Sequence, residues 1–206
     1  MRDWNRADER NCDKDRPRQK TMTDRYSQWA LRIRVPAGFA VVAIFLLFAR
    51  PTPESLLRGA GVALLGIGLR AASAGWIEKN RRLATGGPYA HTRNPLYLGS
   101  ALAAVGFCLA AQNGWLWLVI GGFFAAVYWP VIRAEEKKLY GLFPDDYPAY
   151  AAAVPLLFPR VRPWKATGKS NSVFDFQQYL RNHEFRALGA YALVVLLLGG
   201  KIVWNS

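Results

Sequence analysis

Cysteine and histidine are nearly absent, with two of each in 206 residues. Cys12 stands in a charged stretch and Cys108 in an apolar one, which makes no disulfide framework and no CxxC metal or redox motif. His91 and His183 are too few for a metal cluster, so no metal site is expected. Acid is scarce as well: 14 Asp and Glu stand against 27 Lys and Arg, a net charge of +13. Residues 94–132 carry no Asp, Glu, Lys or Arg at all. As a single helix those 39 residues would run about 58 Å, close to twice the hydrocarbon thickness of a bilayer. No buried helix of a soluble domain is that long, so a soluble single core is excluded.

What is present is apolar sequence in blocks. Hydrophobic residues make up 52% of the chain, and its mean hydropathy of +0.02 averages charged segments with nearly charge-free ones. The turn signal Asn113-Gly114 divides the long uncharged stretch into two spans, Pro95 to Gln112 and Trp115 to Ile132, folded back on each other. Further blocks run from Val35 to Ala49, extended toward Trp29, from Leu56 to Ile77, and from Ala187 to Trp204. The expected fold is therefore an all-α integral membrane protein of about five transmembrane helices. Residues 1–28 read as a polar, disordered tail and 29–206 as the membrane domain, with a motif core at 69–160, an extra C-terminal helix at 187–204, and a short interfacial helix within 171–186.

Basic residues test this topology, because Lys and Arg accumulate in short cytoplasmic loops. From the N-terminal tail through the successive connections to the C-terminus the counts are 10, 2, 4, 0, 9 and 1. The alternation places the N-terminus inside, the C-terminus outside and the 133–186 segment in the cytoplasm. The tail has no early apolar run of the signal-peptide kind and is expected to stay on the side of synthesis. The excess positive charge then matches an anionic cytoplasmic leaflet, and with no nucleic-acid module in the sequence, no nucleic-acid partner is expected. The expected membrane is the inner membrane of a bacterial cell or the endoplasmic reticulum of a eukaryotic one.

Three features exceed what an anchor needs. In Gly86-Gly-Pro-Tyr-Ala-His-Thr-Arg-Asn-Pro-Leu-Tyr-Leu-Gly99 a polar turn runs into a membrane helix. Asn94 suits the N-cap and Pro95 the first turn, leaving the N–H groups of Leu96, Tyr97 and Leu98 open to a carboxylate or phosphate; an ordinary capped helix is the plain alternative. In Arg133-Ala-Glu-Glu-Lys-Lys138, Glu135 and Glu136 point about 100° apart, so one faces a bound cation and the other solvent, unless the run is simply a solvated rim. Arg70 lies within the second apolar block, as a functional cation or one that snorkels or pairs with a glutamate. The small residues Gly61, Gly66, Gly68, Ala71 and Gly75 read as a face for close helix packing.

The string Gly87-Pro-Tyr89, Arg93-Asn-Pro-Leu-Tyr97 and Gly99, followed by a hydrophobic hairpin and then Glu135-Glu136, Leu139, Phe143, Asp146-Tyr147, Tyr150, Val154-Pro155 and Pro159, resembles the membrane superfamily of isoprenylcysteine carboxyl methyltransferases and phosphatidylethanolamine methyltransferases. The resemblance covers about Leu69 to Pro159. Its departure is Asn94 where the family often has histidine, which excludes a catalytic histidine at that position.

The resemblance implies S-adenosylmethionine as methyl donor, bound at the cytoplasmic ends of spans three and four. Carried over to this chain, Tyr89, Asn94, Pro95, Leu96 and Tyr97 would line the cofactor, Leu83 and Ala84 would lie along it, and Glu135 or Glu136 would meet its ammonium. An open helix start suits the cofactor's carboxylate, and the faces of Tyr89 and Tyr97 suit its cationic groups. Methyl transfer asks the protein to align donor and acceptor and to exclude water. The expected acceptor is lipid-tailed, arriving from the bilayer, with a prenyl-type carboxylate preferred. Arg133 would hold it, with Arg70 and Arg93 as rivals; a phospholipid amine would instead need deprotonation by His91 or a glutamate. An NADPH-dependent membrane reductase and a non-catalytic scaffold are the remaining alternatives.

The topology predicts that single cysteines introduced at Lys165 and Ser206, with Cys12 and Cys108 removed, react from opposite sides of the membrane. Labelling of both from one side defeats the five-span arrangement.

Overall fold

The computed structural model describes residues 22–77, 82–165 and 174–205. These residues form α1 (Met22–Phe48), α2 (Pro53–Ala74), a 3-10 turn (Gly87–Ala90), α3 (Pro95–Ala111), α4 (Gly114–Leu142), α5 (Tyr147–Ala153), α6 (Phe176–Arg181) and α7 (Phe185–Trp204), with no strand among the described residues. Three helices, α2, α4 and α7, are long and apolar enough to cross a membrane. Val35–Phe48 within α1 and Pro95–Ala111 are shorter apolar segments. The helices turn large apolar side chains outward, among them Leu57, Leu65, Leu118 and Leu196. A surface of that kind suits lipid rather than water.

The expected disordered tail lies largely outside the described residues, but its last part is corrected: residues 22–28 belong to α1. Tyr26 has a structural task there. Pro130 in α4 has no N–H to offer the Ala126 carbonyl one turn back, and Tyr26 Oη donates to that carbonyl at 2.8 Å. The same proline follows a π turn at Phe124–Tyr128, where the Trp129 N–H reaches back to the Phe124 carbonyl. Beyond it α4 continues ten residues past Ile132, carrying the charged run out of the apolar zone. Within the 171–186 window the helix is α6, shorter than that window.

Helix starts follow from local chemistry. Thr52 caps α2 through a reciprocal pair of hydrogen bonds with Ser55, and Ser55 Oγ also donates to the Ala110 carbonyl of α3 at 2.9 Å. The hairpin between α3 and α4 turns at Gln112-Asn113, with Gln112 left-handed (φ 51°). Arg50 N–H reaches the Ala111 carbonyl (2.7 Å) and Asn113 Nδ2 the Phe48 carbonyl (3.0 Å), joining the α1–α2 and α3–α4 turns. Lys201 Nζ ties the end of α7 to the Leu46 and Leu47 carbonyls at 2.8 and 2.9 Å.

Helices α2 and α3 make the most intimate contact of the bundle. A Cβ at Gly59 would strike the Gly106 carbonyl, one at Gly66 the Gly99 carbonyl, and one at Gly106 the Ala63 backbone. Of the expected small-residue face, one glycine is found against α3, while Gly75 abuts the Phe174 ring instead. Gly66 belongs to it, but Gly61 and Gly68 have open space where a Cβ would go; Gly59 and Ala63 take their place, completed by Gly99, Ala103 and Gly106 across the interface. Gly66→Ala and Gly106→Ala should each lower the melting temperature in detergent, at an overpacking cost of about 1–3 kcal/mol. Gly61→Ala and Gly68→Ala should leave it unchanged or raise it, since helical glycine gains about 0.5–1 kcal/mol on replacement by alanine.

Candidate functional site

The polar turn before α3 is held from outside. Gly87 adopts φ +54°, a conformation that favours glycine, and any Cβ there would strike the Trp76 ring. The segment that follows α5 then runs alongside residues 89–94 and hydrogen-bonds to them repeatedly. Arg93 N–H meets the Pro155 carbonyl (2.9 Å), Arg160 N–H the His91 carbonyl (2.9 Å) and Trp164 N–H the Ala90 carbonyl (2.9 Å). Thr92 Oγ1 donates to Leu157 (3.0 Å), and Tyr150 Oη donates to the Tyr89 carbonyl (2.8 Å). Beneath this clasp Tyr147, Tyr150 and Val154 pack as a buried cluster against Leu83, Leu139 and Phe143.

Two expectations change here. Asn94 is the N-cap residue of α3, but its side chain makes no cap; Nδ2 donates instead to the Leu156 carbonyl at 3.0 Å, and the Leu98 N–H is taken by the Asn94 carbonyl. His91 sits 2.8 Å from the Arg160 carbonyl through Nδ1, so that nitrogen carries the proton, and the residue lines neither cavity described below.

A cavity of about 220 Å³ lies between the start of α3 and the charged C-terminal part of α4. Leu83, Ala84, Tyr89, Asn94, Leu96, Tyr97 and Glu135 all line it; Pro95 is buried and does not, nor does Glu136. The two glutamates are separated by their angle on the helix. Glu135 accepts a hydrogen bond from Tyr97 Oη at 3.0 Å. Glu136, only 13% exposed, is held between Arg93 Nη1 and Arg133 Nη1, at 2.9 Å from the latter. Its partners are the protein's own cations, with no face left toward the cavity. Arg133 is spent in the same way: it is 53% exposed, pairs with Glu136 and lies 4.9 Å from the Trp129 ring centroid. The arginine on the cavity wall is Arg93, joined by Arg82 and Lys138.

Lys138 and Leu139 went unassigned, as did Tyr150. Helical spacing was the available signal for the first two, because residues three and four after Glu135 share its face. Leu139 and Tyr150 both stand in the motif string, which assigns neither a role.

Tyr89 is the unusual group. Its side chain is buried against the cavity and its hydroxyl has no hydrogen-bond partner among the described residues. Burial pushes that hydroxyl's pKa far up, Tyr150, Glu135 and Glu184 add to the effect, and Arg70 opposes it. The phenol therefore stays protonated and is a donor in waiting. Tyr150 is raised as well, first by burial and then by Tyr147, with Arg93 opposing.

Arg70 does not reach this cavity. It forms a two-pronged pair with Glu184, Nη2 lying 2.9 and 2.8 Å from the two carboxylate oxygens, while Nη1 contacts Ser100 Oγ and the Leu96 carbonyl. It stands at one end of a second, apolar chamber of about 470 Å³ walled by α1, α2, α3, α4 and α7. Tyr128 lines that chamber and meets Tyr97 of the first cavity edge-on, with ring centroids 5.7 Å apart.

Comparison with known proteins adds a family. The chain is 30% identical over 127 residues to the cobalt-zinc-cadmium resistance protein CzcN of Cupriavidus metallidurans, covering 59% of this chain and 57% of that protein. It is 31% identical over 106 residues to the nickel-cobalt-cadmium resistance protein NccN of Alcaligenes xylosoxydans xylosoxydans, covering 48% of this chain and 49% of that protein. The chain thus spans about half the length of the curated relatives it matches. No solved structure matches it. Residues 59–146 match the family model described as phospholipid methyltransferase, a segment that runs from α2 through the cavity-lining part of α4. Residues 59–146 are thus similar to the phospholipid methyltransferase family, within the membrane methyltransferase superfamily that the motifs resemble.

Proposed function

We propose that the protein is an S-adenosylmethionine-dependent membrane methyltransferase whose 220 Å³ cavity holds the cofactor and whose acceptor is a lipid-tailed molecule. The observation that carries this reading is the buried, unpartnered hydroxyl of Tyr89, a residue that lines the same cavity as Glu135. A hydrogen-bond donor and a carboxylate on one small cavity suit a ligand with an acceptor group at one place and a cation at another, as the amino-acid end of S-adenosylmethionine has. The first turn of α3, which supplies Leu96 and Tyr97 to the wall, adds the favourable field of a helix N-terminus for the ligand's carboxylate. When bound, the cofactor supplies an electrophilic methyl group on a sulfonium. Tyr89, Tyr97 and Glu135 would orient it, and Leu83, Ala84 and Leu139 would exclude water.

Support for a lipid-tailed acceptor comes from the apolar chamber, which borders the cofactor cavity at the Tyr97 and Tyr128 rings. The cavity wall offers Arg82 and Lys138, beside the Glu136-paired Arg93, against the carboxylate of Glu135, a balance that suits an anionic acceptor such as a prenyl-type carboxylate. Arg93 takes over the positioning role expected of Arg133: both arginines pair with Glu136, but Arg93 also lines the cavity and Arg133 does not. N-methylation of a phospholipid amine is the second reading. It draws on the family model's description and on Glu135 as a base. In either case the site faces the cytoplasm, where the basic loops gather, and the partners are the bilayer and the acceptor lipid.

Calorimetry of the detergent-purified chain with S-adenosylhomocysteine should show saturable binding. Tyr89→Phe should weaken it about tenfold, one lost hydrogen bond being worth roughly 1.4 kcal/mol, while leaving the melting temperature of the ligand-free protein unchanged or raised. No binding by the wild type removes the proposed function, and full affinity in Tyr89→Phe removes the site assignment. Given radiolabelled methyl donor and a panel of prenylated carboxylates and aminophospholipids, the protein should yield a base-labile methyl ester that is lost in Arg93→Ala. Label confined to aminophospholipid establishes N-methylation instead.

A further inference from the structure

The C-terminal hairpin of α6 and α7 lies outside the segment that matches the family, yet it is fastened to α2 with some care. Asp175 N–H donates to the Gly75 carbonyl at 3.0 Å, Gln178 Nε2 to Ile77 at 2.8 Å, and Asn182 Nδ2 to Ala74 at 2.8 Å. These carbonyls follow the last turn of α2, where backbone acceptors have no partner within the helix. The elbow is then closed by His183 in a left-handed conformation (φ 55°), and the next residue is Glu184. Glu184 grips Arg70 with both carboxylate oxygens, its own side chain 14% exposed and that of Arg70 23%.

Arg70 has a second side. Nη1 donates to Ser100 Oγ and, at 3.3 Å, to the Leu96 carbonyl, which also receives Ser100 Oγ at 3.0 Å. Leu96 and its neighbour Tyr97 are the first-turn residues of α3 that face the 220 Å³ cavity. A continuous set of charge-assisted hydrogen bonds thus runs from the start of α7, through α2, to the wall of the candidate cofactor site.

We propose that Glu184 is a positioning residue for that site: by orienting the Arg70 guanidinium it fixes the Leu96–Ser100 turn of α3, so that the C-terminal hairpin sets the affinity of the cavity. The functional half of this proposal rests on the methyltransferase reading; the mechanical half does not. A carboxylate that merely neutralised an arginine would leave the α3 turn unaffected when replaced by its amide, whereas a positioning carboxylate transmits its loss along the set of bonds.

The test compares full-length Glu184→Gln, Ser100→Ala and Lys201→Met in detergent. Lys201 fastens the opposite end of α7 and serves as the control for loosened helix docking. Amide hydrogen exchange of the 94–100 peptide, measured without ligand, should speed up by roughly tenfold in Glu184→Gln and Ser100→Ala, and stay at the wild-type rate in Lys201→Met even where its melting temperature falls. S-adenosylhomocysteine should bind the first two variants roughly fivefold to twentyfold more weakly and the third with wild-type affinity. Unchanged exchange in Glu184→Gln, or the same acceleration in Lys201→Met, overturns the mechanical link. Faster exchange with unchanged affinity overturns the positioning role. Altered exchange in a protein whose wild type binds no S-adenosylhomocysteine overturns the methyltransferase reading and leaves the mechanical link standing.

Discussion

Everything around the candidate site depends on how closely two helices touch inside the bundle. Gly59, Ala63 and Gly66 of α2 and Gly99, Ala103 and Gly106 of α3 leave no space for larger side chains, so the two backbones share a contact that allows neither sliding nor rotation. In a membrane, where burying apolar surface gives helices little reason to associate, contact of this kind supplies the attraction itself. With that register set, Arg70 arrives beside Leu96 and Ser100 and the first turn of α3 opens onto the cavity. The turn before α3 is then locked by the clasp of residues 154–164.

The charges around the candidate site sort themselves by partner. Glu136 and Glu184, both mostly buried, are taken up by arginines and serve the frame. Glu135, one residue from Glu136 but turned onto the other face, lines the cavity and accepts a hydrogen bond from Tyr97. A buried carboxylate without a cation would be costly, and the protein answers by giving one cation to Glu184 and two to Glu136. The carboxylate left for a ligand is the one that solvent can still reach.

The broad plan was legible in the sequence because a bilayer imposes it. The uncharged run from 94 to 132 and the break at Asn113-Gly114 needed no partner to be read, and α3 and α4 follow them closely. What escaped depended on neighbours that sequence does not display. Gly61 and Gly59 are equally small, yet only Gly59 faces α3. Asn94 has the chemistry of a cap, but the Leu156 carbonyl more than sixty residues away claims its amide. Arg133 and Arg93 are equivalent as residue types and both pair with Glu136; it is the place of Arg93 just before α3 that puts it on the cavity wall. The helical state of residues 22–28 likewise stays hidden until Pro130 strands a carbonyl that Tyr26 can serve.

The π turn at Phe124–Tyr128 bears on how chains of this kind can change in length. A π turn holds one residue more than the α-helical turn it replaces, so the helix on its two sides is out of phase by that one residue. Removing a single residue there would let the helix close up as plain α, with Glu135 still aimed at α3 and Leu116 still packed in the opposite end of the bundle. A deletion anywhere else in α4 would swing one of those faces by about 100°. Among relatives, then, this is the place in the helix where lengths can differ by one without the cavity losing its carboxylate, and equivalent positions there are better matched by counting inward from both ends than by running straight through.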